Sequence, residues 1–113
     1  MSARNHLLAA PPFPVEQALK RLGANLRTAR LRRNLTIEDV AQKIGAGKRA
    51  VMDAEKGKPS TGIAAYAALL WAFDLLDQLN DVAGPTKDPE GQTLALSRER
   101  SRARAKGDLD NDF

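Results

Sequence analysis

Between Thr36 and Lys58 the chain sets out side chains suited to one kind of chemistry, the donation of hydrogen bonds and positive charge to a polyanion. Lys43, Lys48, Arg49 and Lys58 are the cations placed to do so, and Thr36 brings a hydroxyl. Lys48 and Arg49 stand one helical turn before Met52 and Asp53. Bond-breaking chemistry is absent by comparison. The chain has no cysteine and a single histidine, His6, which leaves no disulfide scaffold, thiolate metal site or Cys or Ser/His/Asp nucleophile set. No acid/base pair or metal cluster can be assembled, so neither an enzyme nor a bound cofactor is expected.

Charge along the chain points the same way. The 113 residues carry 18 Lys+Arg against 14 Asp+Glu, a net charge of +4. Residues 15 to 60 hold 11 basic and 5 acidic side chains, whereas residues 61 to 84 hold only Asp74, Asp77 and Asp81. A basic half of this kind is one turned toward a polyanion. The apolar patch Leu7 to Ala10 is too short for a signal-peptide core. The apolar run Ile63 to Phe73 falls short of the roughly 18 residues that span a bilayer. A cytoplasmic protein without membrane contact is expected.

The elements that must position these side chains are helices. Ala and Leu fill 34 positions and aromatics only 4%, a composition that favours helix over strand, so the expected fold class is all-α. Residues 1 to 14, with Pro11, Pro12 and Pro14, read as a flexible arm. Val15, Leu19, Leu22, Leu26 and Ala29 recur at spacings of four and three and predict a first helix to about Arg33. Thr36 supplies an N-cap, with Asp39 completing a weak capping box, for a short second helix carrying Val40, Ala41 and Ile44. Gly45 ends it, and Gly47 opens a third helix containing Ala50, Val51 and Ala54. Gly57-Lys58-Pro59 stops the third. Ser60 or Thr61 is expected to cap a fourth through Phe73, apolar nearly all round and therefore central, with Trp71 in the core. Asp74 would cap a fifth from Leu75 to about Ala83, and Gly84-Pro85 closes the domain, residues 15 to 84. In the extension, residues 85 to 113, Asp88-Pro89-Glu90 predicts one short helix near Thr93 to Leu96. After it the basic run Arg98 to Lys106 and the acids Asp108, Asp110 and Asp112 read as disordered.

Within this frame, Ala41, Gly45 and Val51 lie four and then six residues apart. Two short helices crossing steeply need a small residue where they touch, a glycine at the turn and apolar inner faces, which is a helix-turn-helix signature. With the helix before it, Glu55-Lys56-Gly57-Lys58 after it and two further helices, the region resembles the five-helix DNA-binding domain of the phage-repressor-like (XRE) family of bacterial regulators. That resemblance implies a structural ion pair between Arg30, late in the first helix, and Glu55, at the end of the recognition helix. Phe13-Pro14-Val15, Leu19 to Gly23, Ala68 to Asp77, Asp88 to Gly91 and the basic tail are similar to HipB-like antitoxins. The narrower likeness implies a homodimer that binds a palindrome in its own promoter as an autorepressor and holds a HipA-like Ser/Thr kinase toxin inactive.

On that reading the third helix lies in the major groove of double-stranded DNA with Lys48 and Arg49 nearest the base edges. Arg49 can donate to guanine O6 and N7 together, worth on the order of 1 to 3 kcal/mol of discrimination. Met52 would meet a thymine methyl and Asp53 a cytosine N4. Thr36 with the amides of its helix, Lys43 and Lys58 would meet phosphates. Related repressors usually carry glutamine where this chain has Ile37, and serine or threonine where it has Gly47, which weakens the phosphate clamp. A two-fold dimer places recognition helices about 34 Å apart, and Leu75, Leu76, Leu79 and Val82 are its expected contacts. Two alternatives stand beside this reading: a stand-alone or phage-type repressor without a toxin, and a protein-interaction module that has lost DNA binding.

Overall fold

The periodic apolar residues do form helices. In the computed structural model, which describes residues 6–111, α1 spans His6–Ala9, α2 Phe13–Arg32, α3 Ile37–Ile44, α4 Lys48–Lys56, α5 Ile63–Ala72 and α6 Pro89–Asn111. Two 3-10 helices, Leu76–Asp81 and Pro85–Lys87, lie between α5 and α6. Among the described residues there is no strand, and no helix is long and apolar enough to cross a membrane. The chain divides into two compact units, one ending at Leu79 and the other beginning at Asn80.

In the first unit the core draws on four helices. Leu26 and Ala29 of α2, Val40 and Ala41 of α3, Val51 and Ala54 of α4, and Tyr66, Leu69, Leu70 and Ala72 of α5 are buried with Phe73. Burying one such aliphatic or aromatic side chain contributes roughly 1.5–3 kcal/mol. The α2 stripe is at least half-buried from Leu19 onward, while Val15 stays exposed. Part of the expected arm is ordered: α1 lies within it, and Pro12 precedes an α2 that starts at Phe13, with Pro14 in its first turn. Residues 1–5 of that arm lie outside the described residues.

Small residues set how closely the helices approach. A Cβ on Gly23 of α2 would stand 2.5 Å from the Glu55 carbonyl oxygen and 2.6 Å from that of Ala54, so the end of α4 rests directly on the α2 backbone. Gly57 meets two demands at once. Its φ of 68° is the left-handed conformation that closes α4, and a Cβ there would run into the Leu19 carbonyl.

Four expectations are corrected in this region. α5 is entered from Gly62, not from a Ser60 or Thr61 cap. It is not covered all round, since Ile63 is 68% and Trp71 52% exposed. Asp74 does not start a helix but ends one. At φ 61° it takes the left-handed position, its amide donating to Trp71 O at 3.1 Å while the Leu75 amide donates to Leu70 O at 2.8 Å, the pattern of a helix C-terminus that Asp tolerates. The fifth helix, expected from Leu75 to Ala83, is a 3-10 segment over Leu76–Asp81.

The second unit carries the largest departure. α6 runs unbroken for 23 residues where a short helix and a disordered tail were expected. Its start follows the local signal: Asp88 Oδ1 accepts the Gly91 amide at 3.0 Å, and Gln92 Nε2 donates to Pro85 O at 2.8 Å.

Candidate nucleic-acid interface

Arg30 organises the site although it faces none of it. Its Nε donates to Glu55 Oε2 at 2.6 Å and its Nη2 to Glu55 Oε1 at 3.0 Å, while Nη1 donates to Leu35 O at 2.9 Å. Both side chains are 8% exposed. One guanidinium therefore ties the end of α4 to α2 and to the loop that leads into α3. The hydrogen bond to the Glu55 carboxylate raises the Arg30 pKa, outweighing the opposite pull of burial, with the Glu55 charge adding to the rise.

Helix α3 is closed at its start by its own side chains. Asp39 N donates to Thr36 Oγ1 at 3.0 Å, and Thr36 N donates to Asp39 Oδ2 at 2.9 Å. The Thr36 amide, followed by the Thr36 hydroxyl, holds the Asp39 carboxyl below its ordinary range. A phosphate approaching Thr36 thus meets Asp39 already in place and Glu38 beside it. At the other end Gly45 is left-handed at φ 71°, and the Ala46 amide donates to Ala41 O at 3.0 Å. Three residues later α4 begins. Its N-cap, Gly47, has no side chain to offer, and no acid lies in its first turn.

That first turn carries Lys48 and Arg49, both exposed. Lys48 Nζ lies 3.5 Å from Glu38 Oε1. Arg49 has no ion pair or side-chain hydrogen bond among the described residues, so its whole fork is open to a partner. One turn on, Met52 and Asp53 are half-buried. Asp53 Oδ1 stands 3.2 Å from Lys58 Nζ, so these two charges largely cancel where both were assigned to DNA. Lys43 is engaged elsewhere: its ammonium donates to Ala72 O at 3.2 Å and sits 5.7 Å from the Trp71 ring centroid. Gly47 has open space where a Cβ would be.

Two further cations, one on α2 and one at the end of α4, were not singled out from sequence. Arg27 and Lys56 line an open hollow with Ile37, Met52 and Glu55. A signal for Arg27 was present, since it lies three residues before Arg30 and shares its side of α2. The expected dimer residues divide: Leu75 and Leu79 pack against the core of the first unit, while Leu76 is 38% and Val82 69% exposed. Among the described residues no group of three metal-ligating side chains is found. No protein-family model, curated protein or solved structure matches this chain.

Proposed function

We propose that the chain is a sequence-specific transcriptional repressor of the phage-repressor-like helix-turn-helix type, acting as a dimer on a palindromic operator. α4 serves as the recognition helix. The observation that carries the reading is the exposed first turn of α4, where Arg49 is uncommitted beside Lys48 and the helix amides lack a side-chain cap. The bidentate Arg30–Glu55 pair anchors the opposite end of the same helix, and a held helix presents a guanidinium fork in one orientation. Arg27, Lys48 and Lys56 add positive charge around it. Lys43, bound to the end of α5, has no place in this interface, and Asp53 with Lys58 contributes little net attraction.

The antitoxin role, neutralisation of a HipA-like kinase, is the second step of the proposal and rests on the sequence resemblance alone. Co-expression with a HipA-like kinase, if one is encoded beside this gene, tests it, and the lack of such a gene or an unrestrained kinase would remove the step.

The experiment for the first step is a titration of the protein against its own promoter fragment and a scrambled duplex at several salt concentrations, with Arg49→Ala alongside. Tight binding to the promoter, weakened roughly 10-fold or more by Arg49→Ala, is the expected result. Equal, weak and salt-sensitive binding to both duplexes would leave a protein-interaction module instead.

A further inference from the structure

Apart from Gln92 and Thr93, which bond to nearby carbonyls, no side chain of α6 makes a hydrogen bond or ion pair among the described residues. Leu94 and Leu96 are about half exposed. From residue 94 to 106 every side chain is exposed. Arg98, Arg100, Arg102, Arg104 and Lys106 alternate with other residues, and none of the five makes an ion pair among the described residues. Alternation in a helix does not spread charge evenly. At about 100° per residue, Arg98, Arg102 and Lys106 fall on one stripe and Arg100 and Arg104 on another, with stripe centres about 180° apart. Ser101, Ala103 and Ala105 fill the edges between the stripes, and Glu99 borders the first stripe near its start. Such a helix has no apolar face to bury in a protein core, and its like charges at i,i+4 repel one another.

We propose that α6 is a second DNA-binding element, a helix that seats in a groove of duplex DNA and meets the phosphates of both walls. The proposal rests on the repressor reading above and adds to it an interaction that reads charge, not sequence. The fit is one of width and sign. The major groove, about 12 Å wide, admits one α-helix between two lines of phosphate, and α6 carries cations on two opposite sides with small residues between them. Serine and alanine at those edges let the helix sit low, and among residues 98 to 106 Glu99 alone brings a longer side chain there. An acidic protein surface would cover one stripe and leave the other in solvent. Phosphate on both sides also relieves the i,i+4 repulsion, so DNA should increase the helicity of this segment.

The test measures binding of the full chain to the scrambled duplex and to the promoter across a salt series. It compares the unsubstituted chain with a variant of one stripe (R98Q/R102Q/K106Q), a variant of the other (R100Q/R104Q) and the five-fold combination. Each phosphate that a variant no longer neutralises lowers the slope of log affinity against log salt by about 0.9. Decreases of up to about 2.7, 1.8 and 4.5 per bound protomer are therefore expected, with the preference for promoter over scrambled duplex unchanged. Far-UV circular dichroism should show helix gained on adding duplex to the unsubstituted chain and less gained by the five-fold variant. A slope that drops for one stripe only would overturn the two-walled seat. Unchanged slopes in all variants would overturn the element while leaving Arg49-dependent operator binding intact. In that event a helix gain with polyglutamate would assign α6 to an acidic protein. Failure of the unsubstituted chain to bind any duplex would overturn this inference together with the repressor reading.

Discussion

Helices α3 and α4 begin in nearly the same way and end up with opposite chemistry at their first turns. Both are entered from an extended residue, Thr36 at φ −85°, ψ 164° and Gly47 at φ −78°, ψ 160°. Thr36 and Asp39 then close the start of α3 with a reciprocal pair of hydrogen bonds, and an acid occupies the place where an external anion would sit. Gly47 closes nothing, and the next two side chains are cations. The partial positive charge of a helix N-terminus is thus consumed internally in one helix and left available in the other. A helix whose start is left open must be held by something else. For α4 that is its far end, where Glu55 meets Arg30 and Gly23 lets two backbones touch.

The contrast fails most visibly if the far end of α4 is released. Glu55→Ala leaves a buried guanidinium unpaired and should cost about 3–5 kcal/mol, measured by urea denaturation. Pairing it with Arg30→Met should recover much of that loss, because the replacement pair carries no buried charge. A loss under about 1 kcal/mol for the single variant would mean that α4 is held by apolar packing alone.

Next in size is Gly23→Ala, which places a methyl group against two backbone carbonyls that cannot swing aside. A cost of about 1–3 kcal/mol is expected, although alanine is the better helix former. A stabilised variant would show that α2 and α4 do not touch there in solution.

At the start of α3, Thr36→Ala should cost about 1 kcal/mol without altering operator preference. The acid limb of the stability curve gives the same pair of bonds a second measurement. The Asp39 carboxyl is held below its ordinary range in the folded chain, so its contribution is complete above the unfolded value, about 3.9. That contribution is lost as pH falls from there through the lower folded value. Asp39→Asn should flatten this limb. An identical limb in both proteins would show that the carboxyl is not bonded in solution.

The smallest change makes the two starts alike. Gly47→Asp adds a side-chain cap and a negative charge to α4 where there is room for both. Stability should rise by a few tenths of a kcal/mol, while DNA affinity falls. A variant that binds DNA as well as the parent would separate the start of α4 from the proposed interface.

What is legible in the sequence follows from the range of each interaction. The capping residues Thr36 and Asp39 lie three apart and Gly45 ends its own helix, so residues near in sequence specify these features and the chain spells them out. Leu26, Ala29, Val40, Ala41, Val51 and Ala54 are legible as core from their helical spacing. Lys43 misleads because a lysine on a short helix looks free until α5 brings the Ala72 carbonyl and the Trp71 ring to it. The Asp53–Lys58 pair is a nearer miss, five residues apart across the end of α4. The segment after Phe73 misleads for a different reason. Asp74 suits a helix start and a left-handed helix end equally well, and only the packing of Leu75 and Leu79 on the core chooses between them.

Read along the chain, the residues establish that it is helical, where α2, α3 and α4 lie to within two residues, and that 11 of its 18 cations fall in residues 15 to 60. Those properties depend on propensity, period and charge, which neighbouring residues carry without help. Which cations remain uncommitted, why Gly23 and Gly57 must be glycines, and how Arg30 holds a helix it does not belong to emerge only from the packed helices. Each of these is set by an approach between segments distant in sequence, and the distance at which two backbones meet is written in no single stretch of residues.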